Sequence, residues 1–310
     1  MNDQLVSVTH NLLEALENLR YHDRERMLWI DALCIDQANN QEKGHQVGQM
    51  RLVYEYADNV LIWLGPSTPD VEYLMDRMTE LDHKMLRHVD YKDRPLETWS
   101  QEWSDVKDGL DPQSCYTSSH ISRVFWQLLE RPWFKRVWVL QEAACARIAT
   151  VVCGRHSVSS RTFAMMYDLV DGPSRIGYRL ETQAKAVLDV MPGPRRRSSW
   201  YSHDRRLATL LDKFKYSSAS VELDLVYALL GISSDVSDPD LFRPDYSIST
   251  EDDIKVHPKT VLAYRIMSER YPPSPEHCAK VFTQKFFKTL VSLRVEVDAI
   301  DAGGRARADG

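Results

Sequence analysis

Leu28-Trp29-Ile30-Asp31-Ala32-Leu33-Cys34-Ile35-Asp36-Gln37 is the stretch on which the fold turns. From Met27 to Ile35 it is short and nearly continuous in apolar residues, the pattern of a β-strand covered on both faces. Asp31 interrupts the run, and a charge inside a buried strand needs a reason. It caps a neighbouring helix, pairs with a buried arginine, or forms part of a site wall. Asp36 and Gln37 follow toward the carboxyl end of this strand, where open parallel sheets bind ligands. Gln37 is otherwise a turn residue.

Upstream, Leu5, Val8, Leu12, Leu16 and Leu19 recur at helical spacing and predict an amphipathic helix over 3–20. Downstream, Asn39 is placed to cap a helix, with Glu42 three residues later completing a capping-box pair. Val47, Met50, Tyr54 and Ala57 mark the buried face of that helix. Val60-Leu61-Ile62-Trp63-Leu64 reads as a second buried strand, stopped by Gly65-Pro66. Helix, strand, helix, strand in alternation predicts an α/β fold with a parallel sheet and flanking helices.

A helix is expected over 69–88, with Val71, Met75, Met78 and Met85 on one side. Residues 89–119, rich in Asp, Lys, Ser, Pro and Gly, read as an irregular insertion carrying Trp99 and Trp103. A helix over 120–130 breaks at Arg131-Pro132, a further helix lies within 133–146, and 148–153 forms a third strand. Beyond 155 the pattern is mainly helical, near 160–170, 203–215 and 221–230, with Gly231 in the position of a helix C-terminal glycine. Pro192-Gly193-Pro194-Arg195-Arg196-Arg197-Ser198-Ser199 reads as a solvated loop or linker.

The 310 residues carry a net charge of −6 and are 43% hydrophobic. That balance belongs to a folded globular chain and argues against nucleic acid as a partner. The five cysteines are widely spaced without a CxxC, which predicts reduced thiols, no zinc site and no other metal. No apolar run reaches the ~18 residues of a membrane helix and no signal-peptide layout opens the chain, so no membrane is expected and the expected compartment is the cytoplasm. No GxGxxG or P-loop pattern occurs, and the histidines form no readable triad with a Ser or Cys.

Three segments resemble the fungal heterokaryon incompatibility (HET) domain. They are Leu28–Gln37 continuing through His45-Gln46-Val47 to Gly65, then Arg131-Pro132-Trp133-Phe134-Lys135-Arg136-Val137-Trp138-Val139-Leu140-Gln141-Glu142, then Asp224–Gly231 with Asp245-Tyr246. The resemblance covers roughly residues 5–250. It divides the chain into a HET domain over 1–155, a helical continuation over 156–250, and an unrecognised, partly disordered tail over 251–310. It implies a fungal protein of self/non-self recognition and programmed cell death, with other incompatibility or signalling proteins as partners and a homo-oligomer as one form.

HET domains are similar to TIR domains, which are flavodoxin-like, and the resemblance therefore implies a TIR-like sheet. Several TIR domains cleave NAD with one glutamate, four residues after a Trp on a helix. Trp138 and Glu142 have that spacing, so the resemblance implies Glu142 as a catalytic carboxylate, with Asp31, Asp36, Gln37 and Trp138 as binding residues. NAD would then be the substrate, and no cofactor is required. Glu142 is otherwise a solvated helix residue or a partner of Arg136 or Arg147. Trp29, Trp63, Trp133 and Trp138 also suit a core.

The family's opening strand, which reads like Tyr-x-Ala-Leu-Ser-Tyr-x-Trp-Gly, is not found before the first helix. In a flavodoxin-like order this is the central strand, so the resemblance implies a truncated start or a degenerate copy. An NAD-consuming effector, a non-enzymatic signalling module and a non-functional fragment are the three readings that follow.

Overall fold

A computed structural model describes residues 6–88, 94–108, 116–170, 178–221, 224–235 and 246. The tail over 251–310 lies outside the described residues, as does Leu5. Thr9 accepts from the Leu12 amide and starts helix α1 (His10–Leu19), so the helix expected over 3–20 begins later than its apolar spacing suggested.

The decisive stretch is not a strand. Residues 24–30 have no regular structure, and Asp31–Cys34 forms one helical turn, α2, flanked by extended Ile30 and Ile35. Met27 is 99% exposed and Trp29 37% exposed, so neither the two-sided burial nor the core role read for Trp29 holds. Strand geometry needs a neighbouring ladder for its N–H and C=O groups. Here those groups close locally instead: Cys34 donates to the Ile30 carbonyl at 2.8 Å and Ile35 to that of Asp31 at 3.2 Å. A short apolar run has the same signature in either conformation.

Asn39 caps α3 (Asn40–Tyr56), accepting from the amides of Gln41 and Glu42 at 3.1 Å each. Glu42 does not close the reciprocal half of a capping box; its Oε1 accepts from the Asp36 amide at 3.0 Å. Val47 and Met50 are buried on the inner face of the helix.

The sheet has three strands in the order β1 (Val60–Trp63), β2 (Ala149–Cys153), β3 (His156–Ser159). β1 and β2 are parallel, with Val60 opposite Ala149. β3 returns antiparallel to β2 through a turn at Gly154, whose φ is +57°. The architecture is α/β with a small mixed sheet, not the wholly parallel sheet expected, because the short turn after β2 leaves no room for a helical crossover.

Between β1 and β2 run α4 (Pro69–Leu86), α5 (Leu96–Asp108) and α6 (Ser118–Leu129), then a 3-10 turn (Pro132–Lys135) and α7 (Val139–Cys145). The presence of α5 corrects the reading of 89–119 as irregular, although 89–93 and 109–115 are not described. Composition hid the helix, but Trp99, Trp103 and Val106 stand at i, i+4 and i+7 and are buried together. Burial of such large side chains stabilises by about 1.5–3 kcal/mol each.

The remainder is helical: α8 (Ser160–Leu169), α9 (Tyr178–Val190), α10 (Pro194–Ser198), α11 (Leu207–Lys213) and α12 (Asp224–Leu230). The arginine run read as a solvated loop is a packed turn. Arg195 is buried and donates to Asp189 Oδ1 from Nε at 3.1 Å and from Nη2 at 2.6 Å, while Nη1 bonds Asp168. Arg196 donates to the carbonyls of Ala144 and Ala146 at 2.8 and 3.1 Å. A guanidinium is buried only where its donors are satisfied, and carboxylates from α8 and α9 satisfy this one.

Gln141 ties α7 to α12. Its Nε2 donates to the carbonyls of Tyr227 and Ala228 at 3.3 and 3.0 Å. The amides of Ile232 and Ser233 take those of Leu229 and Leu230, so all four terminal carbonyls of α12 are satisfied. Gly231 is required here by proximity, not by a left-handed φ: an added Cβ would stand 2.5 Å from Gln141 Nε2. Gly231→Ala is expected to cost about 1–3 kcal/mol, read as a lower urea midpoint, because it displaces a buried donor from its acceptors. The Gln141→Ala, Gly231→Ala double variant should lose less than the sum of the two single changes, since both act on the same contact.

Candidate functional site

Glu142 lies in the first turn of α7, and its amide donates to the Trp138 carbonyl at 3.4 Å. The Glu142 carboxyl accepts from Trp133 Nε1 at 3.4 Å. Burial pushes its pKa above the ordinary carboxylate range; the Arg136 charge opposes this and Asp31 adds to it. Arg136 is exposed and makes no contact ion pair with Glu142 among the described residues, nor does Arg147. Glu142 is thus half-buried, with Arg136 acting on it through space and not through a contact ion pair.

Tyr54 belongs to the same cluster. Burial raises its phenol well above the usual value, and the charges of Glu142 and then Asp31 raise it further. Its ring meets Trp29 edge to face, with centroids 5.9 Å apart. The cluster thus holds a neutral phenol within electrostatic reach of two carboxyl groups. Asp31 is half-buried at the start of α2, and its Oδ1 accepts from the Ala32 amide at 2.7 Å. Asp31 caps no neighbouring helix through its side chain among the described residues, and its charge reaches Glu142 and Tyr54.

Asp36 and Gln37 are exposed and build the turn into α3. Asp36 Oδ1 accepts from the Ala38 amide at 3.0 Å, and Gln37 Nε2 donates to the Asp31 carbonyl at 3.1 Å. Gln37 therefore touches the cluster only through the main chain of Asp31. Trp138 is half-buried against the core and contributes its backbone carbonyl to the start of α7. Trp133 is buried and supplies the indole donor.

Sequence reading singled out Asp31 and Glu142, which the fold brings into electrostatic reach of each other. It treated Tyr54 only as a marker of a buried helix face. The residue lies twenty-three positions from Asp31 and eighty-eight from Glu142, and no local spacing signals that meeting.

The segments on which the resemblance rests are also joined. Arg131 Nη1 donates to the carbonyls of Leu64 and Pro66 at 2.9 and 3.0 Å, beside Gly65 with φ +104°. Lys43 lies 4.2 Å from the ring centroid of Tyr246, whose hydroxyl bonds Asp224 Oδ1 at 2.7 Å. Residues 1–142 match the family model described as heterokaryon incompatibility protein (HET). This region is similar to a HET domain. It is 27% identical over 284 residues to "Heterokaryon incompatibility protein 6, OR allele" of Neurospora crassa, covering 78% of this chain and 40% of that relative. The chain therefore spans about 40% of the relative's length. No solved structure matches it. The first two of the three segments, Glu142 included, fall within the matched HET region.

Among the described residues no cluster of His, Cys, Asp or Glu could hold a metal ion, and no helix is long and apolar enough to cross a membrane. Cys34, Cys145 and Cys153 are free thiols, and burial pushes Cys145 up to about 11.

The raised pKa of Glu142 sets the sign of a pH effect. A carboxyl with a higher pKa folded than unfolded binds more protons in the folded state, so stability falls as pH rises from the ordinary carboxylate range through the folded pKa. Glu142→Gln is expected to match wild type at the acid end of this window and to exceed it in thermal midpoint above it. Parallel midpoint-versus-pH curves for the two proteins would refute a raised pKa.

Proposed function

We propose that this chain acts in fungal heterokaryon incompatibility, as a cytoplasmic module that signals self/non-self recognition toward cell death through other incompatibility or signalling proteins or through its own oligomers. The observation that carries this reading is the HET match over 1–142, together with the name of the Neurospora crassa relative. Expression of the chain in a fungal host, with colony formation counted, tests it. Wild type should reduce colony number; Gln141→Ala, which loosens α7 from α12, should restore it at equal protein level. Equal counts for wild type and an empty vector would end this reading.

A second reading is that the HET domain is TIR-like and cleaves NAD, with Glu142 as the working carboxylate. What favours it is the Glu142 carboxyl bonded to Trp133 and within electrostatic reach of Asp31 and Tyr54. The parallel β1–β2 pair with helices between its strands suits a doubly wound ancestor. Antiparallel β3 and the helical turn at Asp31–Cys34 depart from one. Cleavage of the nicotinamide–ribose bond builds positive charge on the ribose, as in other glycosidic bond cleavage. An ionised Glu142 facing that charge would stabilise it, and Asp31 would add to the field. Trp138 would position the helix that carries Glu142, and Asp36 and Gln37 would lie at the margin of the site.

Purified protein incubated with NAD should release nicotinamide, and Glu142→Ala should slow release by about 100-fold or more. Equal release from the two proteins would remove Glu142 from the chemistry. No release from wild type, with colony loss retained, would favour a non-enzymatic signalling module. Failure of both assays is what a degenerate fragment would give.

A further inference from the structure

A cavity of about 630 Å³ opens among α8, α9, α10 and α11, and shares no residue with the Glu142 cluster. Its volume is that of a small-molecule site. Two aromatic rings line it, Tyr167 and Trp200, together with two lysines, Lys185 and Lys213. Tyr167 is anchored from behind by Trp126, edge to face at 5.3 Å, and Trp200 meets Phe214 at 5.8 Å.

The polar groups of the cavity divide into those already engaged and those still open. Asp189 accepts from Arg195 and from Trp200 Nε1 at 3.1 Å. Asp168 is held by the same guanidinium, and Glu181 accepts from the Tyr167 hydroxyl at 3.2 Å. The Ser199 hydroxyl donates to the Asp189 carbonyl at 3.1 Å, and that of Ser198 to Pro194 at 3.2 Å. The acidic groups and both serine hydroxyls of the cavity are thus engaged with the protein itself.

Among the described residues the two ammonium groups engage only aromatic rings. Lys185 Nζ lies 5.8 Å from the centroid of Tyr167, and Lys213 Nζ lies 5.5 Å from that of Trp200. Among the described residues neither lysine makes an ion pair. The formal charges of Asp168, Glu181, Asp189, Lys185, Arg195 and Lys213 cancel. The direction of recognition is therefore set by which donors remain unspent, and these are the six N–H bonds of two ammonium groups.

From this arrangement we infer that the cavity binds a small planar organic anion, with its phosphate or carboxylate between Lys185 and Lys213 and its ring against Trp200 and Tyr167. An aromatic wall is useful to a ligand with a flat face, and a compact ammonium suits a phosphate as a point charge. A polymer is a poor fit, since the chain's net charge of −6 offers no extended positive track.

Isothermal titration of the full chain with adenosine 5′-monophosphate tests this, with adenosine and inorganic phosphate as its two halves. The nucleotide should bind with a Kd of about 1 mM or tighter, and each half about tenfold more weakly. The Lys185→Gln, Lys213→Gln double variant should weaken nucleotide binding by about tenfold or more while keeping the wild-type thermal midpoint, because both side chains reach the surface. Added salt should weaken binding to the wild type. No binding of the nucleotide by the wild type, or equal binding by a folded double variant, would overturn the inference.

Discussion

Arg131 holds the carboxyl end of β1 by sharing one guanidinium nitrogen between the carbonyls of Leu64 and Pro66. The contact exists because Gly65 lies between them: a Cβ there would stand 2.8 Å from Nη1, and a φ of +104° is costly for any other residue. Eleven residues after Arg131 comes Glu142. The path between is pinned again where Ser218 bridges Lys135 and Val137, by hydrogen bonds of 2.6 and 2.9 Å. At its far end Gln141 caps α12 beside Gly231. The segment that carries the candidate carboxylate is held along its length by donors to main-chain carbonyls, and a glycine clears the space at each end.

The molecule compensates charge in two contrasting ways. Arg195 receives two carboxylates, one from each neighbouring helix, and its pKa is raised by them against the pull of burial. This pairing fastens α8, α9 and α10 together. Glu142 has one long indole hydrogen bond, a cation acting from a distance and another acid nearby. An acid left under-compensated in this way costs stability when ionised, and such sites are common where a carboxyl does chemistry. The arginine is matched by two carboxylates, whereas the glutamate has no contact ion pair among the described residues.

Much of the core was legible before any coordinates. The stripes of α3 and α4, strand β1 and the break at Arg131-Pro132 each follow from periodicity or from a residue with one conformational preference. The errors have separate causes. The 27–35 run has the apolar content of a strand but no ladder to join. The region around α5 was obscured by its composition, although Trp99, Trp103 and Val106 kept a helical beat. The Pro-Gly-Pro-Arg-Arg-Arg run resembles a linker because nothing local reveals that Asp168 and Asp189 wait for Arg195, twenty-seven and six residues away.

By itself the sequence determined what local chemistry can encode: the cap at Asn39, helix faces, the α/β class, and the three segments that resemble a HET domain. Only the tertiary structure decided which distant groups share one environment. It placed Tyr54 and Asp31 near Glu142, turned Gly231 from a helix terminator into clearance for Gln141, and converted an arginine run into the wall of a cavity. The physical reason is that hydrogen bonds and desolvation act over a few ångströms, whereas the partners concerned are separated by up to eighty-eight residues of chain.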